Sequence, residues 1–405
     1  MDRNVLLGSA MPKKRSVPAE VVKISARGAR RLRDGHVWVY RSDLIGADGV
    51  GAGALVGVID ERGAFLGTAL YSSTSEIAVR MISKEAVREL PALLRERIRA
   101  AIGYREQVVR NGNGYRLIFS EADFLPGLIV DRYNDLLSFQ VLTQAMDSEQ
   151  ARTVFMSELT EALHPAAVVE RVEPKIRLLE QLPARDSALV LGEKTSTIFT
   201  MNGVQFHCDA LQGQKTGAFL DQRENYAAAA EYARGEALDV CCYQGGFALH
   251  LARCSKVTGV DSSRPALEMA ERNASLNGRE LEWIEANAFD LLRDYSEAGR
   301  QFDTIILDPP AFARSRRHRE AALRAYKELN LRALRMLRPG GILVTCSCSY
   351  HVPPLDFLKS VLAAAHDSHR TLRLLENRAQ AKDHPIVLTV PETAYLKCLI
   401  LSASY

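Results

Sequence analysis

From residue 237 onward the chain repeats a simple pattern: a short apolar run closed by Gly, Pro or an acid, then a stretch with helical spacing of its apolar positions. Ala237 to Cys242, Lys256 to Val260, Leu281 to Glu285, Thr304 to Leu307 and Ile342 to Thr345 read as successive buried parallel strands. Helices are expected from Phe247 to Ala252 and from Arg264 to Asn277, the second with Pro265 in its first turn and Gly278 just past its end, and Arg338-Pro339-Gly340-Gly341 is expected to mark a helix end before the fifth strand. Pro309-Pro310 cannot donate ladder hydrogen bonds, so the fourth strand stops with Asp308 at its carboxyl edge. The alternation predicts an α/β, Rossmann-like sheet, whose ligands bind beyond the carboxyl ends of the strands.

The first half follows another rhythm. Val21 to Ile24, Val37 to Tyr40, Ala54 to Ile59, Phe65 to Leu70 and Ala78 to Ile82 are short strands with Gly-rich turns between them, the pattern of a small β-barrel. A helix from Leu93 to Val109 leads into strands near Leu128 to Asp131, Leu137 to Val141 and Ala167 to Val172, with a helix near Ser148 to Leu163. A hairpin around Ser196 to Phe206 comes before the large sheet. The expected domains are a flexible basic tail (1–19), a small barrel (20–92), a central α+β layer (93–200) and the Rossmann-like domain (201–405).

The strand ends carry the candidate chemistry. Tyr243-Gln244-Gly245-Gly246 and Phe247 join the first strand to its helix, and small residues there let a ligand approach the backbone. Asp261 closes the second strand about 20 residues past the start of the first, where an acid accepts both hydroxyls of a ribose. Asn287, Ala288 and Phe289 follow the third strand, placed to read an adenine edge and cover its face, with the Asn287 amide oxygen as acceptor from the adenine amino group. A dinucleotide site needs G-x-G-x-x-G, which is absent here, and Asp239 stands where an acid faces an amine or a cation. These features favour S-adenosylmethionine as cofactor. Asp239, Asp261, Asn287 and Asp308 fall at the ends of successive strands, which weighs against a bare strand-turn-helix.

Asp308, the stiff pair Pro309-Pro310 and the Phe312 ring put an acid beside an aromatic wall, a setting for a nucleobase. The fifth strand runs into Cys346-Ser347-Cys348-Ser349, and by strand alternation its two thiols face the same side, one beneath the other. A thiol can add to C6 of a pyrimidine and turn C5 into a nucleophile. Cys208, Cys241, Cys242, Cys254 and Cys398 are expected to pack as small hydrophobes. No metal is expected, because no second Cys pair or His cluster accompanies Cys346 and Cys348.

Gln214-Lys215-Thr216-Gly217, Asp221-Gln222-Arg223, Tyr243-Gln244-Gly245-Gly246-Phe247, Asp308-Pro309-Pro310-Ala311-Phe312, Ser347-Cys348-Ser349 and Pro391-Glu392-Thr393-Ala394-Tyr395-Leu396-Lys397 together resemble the bacterial 23S ribosomal RNA 5-methylcytosine methyltransferases that carry an N-terminal PUA domain. The run from Phe119 to Tyr133 is similar to that family's central domain. The resemblance implies a class I methyltransferase domain at the C-terminus, an RNA-binding PUA module at the N-terminus, and Cys348 as the nucleophile, with Asp308 on the target base. It leaves Cys346 unassigned, and the proton acceptor unnamed. In the expected arrangement Asp239, Tyr243, Gly245, Gly246, Phe247, Asp261, Asn287, Ala288, Asp308 and Arg223 serve the cofactor, and Pro309, Pro310, Phe312 and Lys215 serve the RNA. Lys215 and Arg223 can equally be structural ion-pair members. Related enzymes with Gln-Lys-Thr-Gly and Asp-Pro-Pro methylate guanine, so a guanine N-methyltransferase and a non-catalytic RNA-binding or ribosome-assembly protein stay as alternatives.

Composition adds the RNA side. A formal net charge of +3 over 405 residues argues for nothing alone. Its distribution does more: Lys13, Lys14, Arg15, Lys23, Arg27, Arg30, Arg31, Arg33 and Arg41 face only Glu20 and Asp34 in that stretch, with His36, Trp38 and Tyr40 as stacking surfaces. Arg27, Arg30 and Arg31 are therefore expected at RNA, and Arg314, Arg316 and Arg317 at backbone phosphates. The cysteines are odd in number, none falls before residue 208, and there is no apolar run of about 18 residues. A reduced, cytoplasmic protein is expected, with ribosomal RNA and, as a homodimer, a second copy of itself as partners, and with no membrane.

Overall fold

The computed structural model describes residues 18–211, 217–313 and 315–404. Lys13, Lys14, Arg15, Gln214, Lys215, Thr216 and Arg314 lie outside the described residues. The chain forms two compact units. One holds residues up to Glu96 with Leu142–Met156 and Lys175–Pro183; the other holds Arg97–Val141, Ser157–Pro174 and everything from Ala184.

In the first unit, β1 (Glu20–Ile24), α1 (Ala26–Arg33), β2 (Trp38–Tyr40), β3 (Leu44–Gly46), β4 (Leu55–Ile59), β5 (Phe65–Tyr71) and β6 (Ile77–Ser83) build a six-stranded sheet in the order β2-β6-β5-β4-β1-β3. Its interior is made by the alternate apolar positions Val22, Ile24, Val39, Val56, Val58, Val79 and Met81. The five strands expected here are all present; α1 and β3 are additional. Ser25 starts α1 by accepting a hydrogen bond from the Gly28 amide.

The chain continues through α2 (Leu90–Val108), β7 (Gly114–Phe119), β8 (Leu128–Tyr133), β9 (Leu136–Val141), α3 (Glu149–Leu163), β10 (Ala167–Glu170), α4 (Pro174–Leu179) and β11 (Ala188–Leu191). In the second unit β7 to β11 form one sheet in which β9 and β10 pair parallel and the remaining neighbours pair antiparallel. The hairpin β12 (Ser196–Met201) and β13 (Val204–Asp209) follows, then α5 (Arg223–Tyr232).

The large sheet is built from β14 (Gly235–Val240), β15 (Cys254–Asp261), β16 (Glu282–Glu285), β17 (Phe302–Leu307), β18 (Leu337–Ser347), β19 (Thr371–Arg378) and β20 (Lys397–Ser404), in the order β16-β15-β14-β17-β18-β20-β19. The strands from β16 to β18 pair parallel, and β20 runs antiparallel between β18 and β19. Five helices accompany it: α6 (Gly246–His250), α7 (Arg264–Leu276), α8 (Ala288–Glu297), α9 (Arg319–Met336) and α10 (Pro354–Asp367). Alternate strand residues feed two cores. Ala237, Ile306, Val344 and Ile400 join one cluster, while Leu238, Ile305, Leu343 and Leu401 join the other.

The order reverses between β14 and β17, whose last residues Val240 and Leu307 are register partners. A crevice opens at such a switch point, because successive crossovers leave in opposite directions. Two sequence expectations change. Arg338-Pro339-Gly340-Gly341 does not separate a helix from a strand: it lies inside β18, which starts at Leu337 with a register irregularity opposite Phe302 and Thr304. The helix after the first strand is a single short segment ending at His250 rather than at Ala252.

Candidate active site

Beyond the β14 and β17 ends lies a cavity of about 630 Å³ within the second unit. Tyr243, Gly246, Phe247, Asp261, Asn287, Ala288, Phe289, Asp308, Pro309, Pro310, Phe312 and Cys348 line it, joined by Asp221, Gln222, Tyr226, Cys241 and Cys242. Most of the site expected from sequence is thus brought together by one switch point. Gly245, Asp239 and Arg223 are not on the lining.

The turn after β14 has the tightest backbone of the site. Cys241 (φ 65°), Tyr243 (φ 51°) and Gly245 (φ 82°) all adopt left-handed conformations, and two of the three are not glycine. Such conformations cost free energy and persist where the surroundings over-determine them. Here Asp261 does so: its carboxylate accepts hydrogen bonds from the Tyr243 amide and the Ser263 amide, each at 2.9 Å. The glycine pair was expected to clear the way for a ligand, but protein packing already requires both. A Cβ on Gly245 would lie 2.9 Å from the Trp283 ring, and one on Gly246 would lie 2.5 Å from the Tyr226 ring.

Asp239 sits beneath this turn, fully buried, and one of its oxygens accepts a hydrogen bond from the Ala248 amide at 2.8 Å. The other has no hydrogen-bond partner among the described residues. Burial pushes the carboxyl up to about 8 against the Ala248 hydrogen bond, and the nearby Asp308 and Asp261 charges add to the rise. Asn287 was expected to accept from an adenine through its amide oxygen; that oxygen instead caps α8, accepting from the Phe289 and Asp290 amides. Its amide N–H groups remain as the donors it can offer a ring nitrogen.

At the β17 end, Asp308 accepts a hydrogen bond from Gln222 at 3.0 Å. Gln222 in turn accepts from Asn225 at 2.6 Å, and Asn225 accepts from Arg378 at 2.9 Å. In the sequence Gln222 stands out only as a member of Asp221-Gln222-Arg223, and no local pattern marks Asn225 or Arg378. The Asp308 partner is 86 residues away, so no local pattern announces it. Phe289 and Phe312 stand with ring centroids 5.9 Å apart, and Phe312 continues to Tyr326 at 4.9 Å.

The two thiols of β18 separate in depth. Cys346 is fully buried opposite Cys398 in the antiparallel pairing, whereas Cys348, one residue past the strand, is half-buried and lines the cavity. The Cys348 sulfur lies 3.9 Å from the Pro309 carbonyl oxygen. Tyr326 ties the loop down, with hydrogen bonds of 2.9 Å to both Ser347 and Ser349. Burial pushes the thiols of Cys208, Cys241, Cys242, Cys254 and Cys346 upward, and Cys254 reaches about 11. Among the described residues no cluster of His, Cys, Asp or Glu is placed to hold a metal ion.

Several basic residues are engaged within the protein. Arg223 is buried in an ion pair with Asp383 at 3.2 Å. Arg27 and Arg31 both pair with buried Asp43, at 2.6 and 2.8 Å, so the basic stretch has an acidic partner just beyond the segment first considered. Arg31 also stacks on Tyr40, 4.7 Å from its ring centroid. Arg30, Arg316 and Arg317 are exposed.

The donor set of the cavity fits a nucleoside cation. Asp261 retains lone pairs for vicinal hydroxyls, Phe289 offers a face for a flat base, and Asp221, Asp261 and Asp308 surround the interior with carboxylates. Comparison with known proteins agrees with this chemistry. A family model for PUA-like domains matches residues 22–84, and one for S-adenosylmethionine-dependent methyltransferases matches residues 145–401. The ribosomal RNA large subunit methyltransferase I of Photobacterium profundum is 37% identical over 382 residues, covering 91% of this chain and 95% of that protein. The protein of the same name from Shewanella denitrificans is 36% identical, covering 94% and 98%. Two solved structures share the fold at 18% identity, each covering 96% of this chain and 100% of the other: one complexed with SAH, at a TM-score of 0.81, and one from Streptococcus mutans, at 0.79. Among the described residues no helix is long and apolar enough to cross a membrane. The chain belongs to the ribosomal RNA large subunit methyltransferase I family of S-adenosylmethionine-dependent methyltransferases.

Proposed function

We propose that the protein methylates C5 of a cytosine in large-subunit (23S) ribosomal RNA. The observation that carries this reading is the meeting of Cys348 and Asp308 in one cavity, with Phe312 beside them. Asp261 would hold the ribose of S-adenosylmethionine, Asn287, Ala288 and Phe289 its adenine, and Tyr243, Gly246 and Phe247 the wall between; bound there, the cofactor supplies an electrophilic methyl group. Asp239 acts from below by holding the Ala248 amide, and Gly245 by allowing the turn.

Asp308, oriented by Gln222, accepts from the amino edge of a cytosine taken out of its stack, and Pro309, Pro310 and Phe312 bound the base. The Cys348 thiolate forms a bond to C6, and its electron pair displaces the C5–C6 π electrons toward C5, which becomes the nucleophile. Once C5 carries the methyl group, its proton passes to a base or water, the C5–H electrons re-form the C5–C6 double bond and the C6–S bond breaks to release the thiolate. Arg30 on α1, with Arg27 and Arg31 beside it sharing the one Asp43 carboxylate, would offer positive charge to RNA phosphates, and a ribosomal RNA substrate fits a cytoplasmic protein.

The test is transfer of labelled methyl to unmodified 23S ribosomal RNA, with nucleoside mass spectrometry of the product. Wild type is expected to make 5-methylcytidine. Cys348→Ala is expected to lose roughly 10³-fold or more in rate while binding cofactor as before. Methylguanosine made by both proteins would replace this reading with guanine N-methylation, and RNA binding without transfer would leave a non-catalytic role.

A further inference from the structure

Lys397 is a buried lysine that the chemistry above does not use. Its side chain is only 7% exposed. It opens β20 as the register partner of Ser347, so it shares a face with that serine at the point where β18 leaves the ladder. Its ammonium donates to the Ser349 carbonyl at 2.7 Å and to the Tyr395 carbonyl at 2.8 Å, taking up two of its three N–H donors. Ser349 directly follows Cys348, so the ammonium grips the turn that carries the thiol. Burying an ammonium is costly unless another charge compensates it. Burial does push Lys397 down to about 8, and the charge of Cys348 acts in the opposite sense.

The other ionisable groups around the thiol disfavour its negative form. Asp308, from the end of β17, and Asp221, before α5, line the same cavity as carboxylates. Tyr326, from α9, keeps its hydroxyl proton, because burial pushes it up and the Cys348 charge adds to that. Cys346, within β18, stays a thiol for the same reason of burial. An ammonium beside the Cys348 turn is the group that offsets these.

We propose that Lys397 is a positioning residue for Cys348: its ammonium, tied to the Ser349 and Tyr395 carbonyls, fixes the turn that presents the thiol and favours the thiolate over the thiol. The inference rests on the reading of Cys348 as nucleophile. The proton lost on ionisation goes to water, and near neutral pH, below its value of about 8, the lysine keeps its own proton.

The experiment is alkylation of Cys348 by iodoacetamide across pH, followed by peptide mass spectrometry on the full chain. Wild type is expected to show a midpoint below the ordinary thiol value of about 8.5. Lys397→Met is expected to raise that midpoint and slow alkylation near neutral pH on the order of tenfold, the factor for one pH unit of thiol ionisation. Lys397→Arg, which keeps a cation, is expected to restore most of the rate. A wild-type midpoint at or above the ordinary value overturns the inference without any variant. So does an unmoved midpoint in a folded Lys397→Met that still binds cofactor. Methyl transfer by Cys348→Ala separates the two claims: an active variant removes the nucleophile reading itself, whereas an inactive variant with an unmoved Lys397→Met midpoint removes only the role of Lys397.

Discussion

Asp239 carries a proton at a pH where other carboxyls have lost theirs. Between the ordinary carboxylate value, about 3.9, and the value near 8 reached by burial, the folded protein holds a proton that the unfolded chain releases. Stability from this group is complete below that window and is lost as pH rises through it. Asp239→Asn removes the titration while keeping an acceptor for the Ala248 amide. Urea unfolding at about pH 5 and about pH 8 should show the wild type losing more stability than the variant over that interval; equal losses would mean that the carboxyl is already ionised in the fold. Asp308 was legible in the sequence because a proline pair marks it locally, and the strand end marks Cys346 and Cys348 only as a pair; Cys348 was singled out by the resemblance of Ser347-Cys348-Ser349 to the family motif. Gln222 and Lys397 were not legible, because their significance lies in partners 86 and 48 residues away, joined only when the turn before α5 reaches the β17 end and β20 aligns with β18.

At the scale of elements, the turn between β14 and α6 decides whether the cavity has a floor. One of its left-handed residues, Tyr243, is held by Asp261 on β15, and its glycines are already required by the Trp283 and Tyr226 rings. Gly246→Ala should therefore destabilise the fold by about 1–3 kcal/mol through overpacking, measured by urea unfolding. In a Tyr226→Leu background the same change should cost clearly less, because the ring that a Cβ strikes at 2.5 Å is gone. An unchanged cost would place the requirement for glycine in the backbone itself. The parallel strands were legible from their apolar runs within a few residues of their observed limits, except β18, which starts at Leu337 rather than at the expected Ile342. The strand β19 was not expected: it is a largely exposed edge whose charged and apolar residues follow no period of two. The strand β20 has an apolar run, Cys398 to Leu401, that a reading of the C-terminus as a motif passed over. The basic stretch 27–33 carried helix signals in Ser25 and Leu32, yet it was read for charge alone.

For the molecule as a whole, the cavity lies in one of two compact units, and ligand binding should register in that unit's unfolding. A ligand that binds only the folded state stabilises it by RT ln(1 + [L]/Kd), about 2.7 kcal/mol at a hundredfold excess over Kd. For a domain of this size that amounts to a rise of roughly 5 °C in Tm. Calorimetry of the full chain with S-adenosylhomocysteine should therefore move the transition of the larger unit by several degrees. The transition of the smaller unit, which carries α1 and the match to PUA-like domains, should stay where it is. RNA should act through the basic residues of that smaller unit, so added salt should weaken RNA binding steeply while leaving the shift caused by S-adenosylhomocysteine nearly intact. A cofactor-product shift confined to the smaller unit would contradict the assignment of the cavity. A shift that vanishes in Asp261→Ala but survives in Cys348→Ala would tie binding to the β15 end and leave the β18 end for chemistry, the division of labour that the switch point between β14 and β17 makes available.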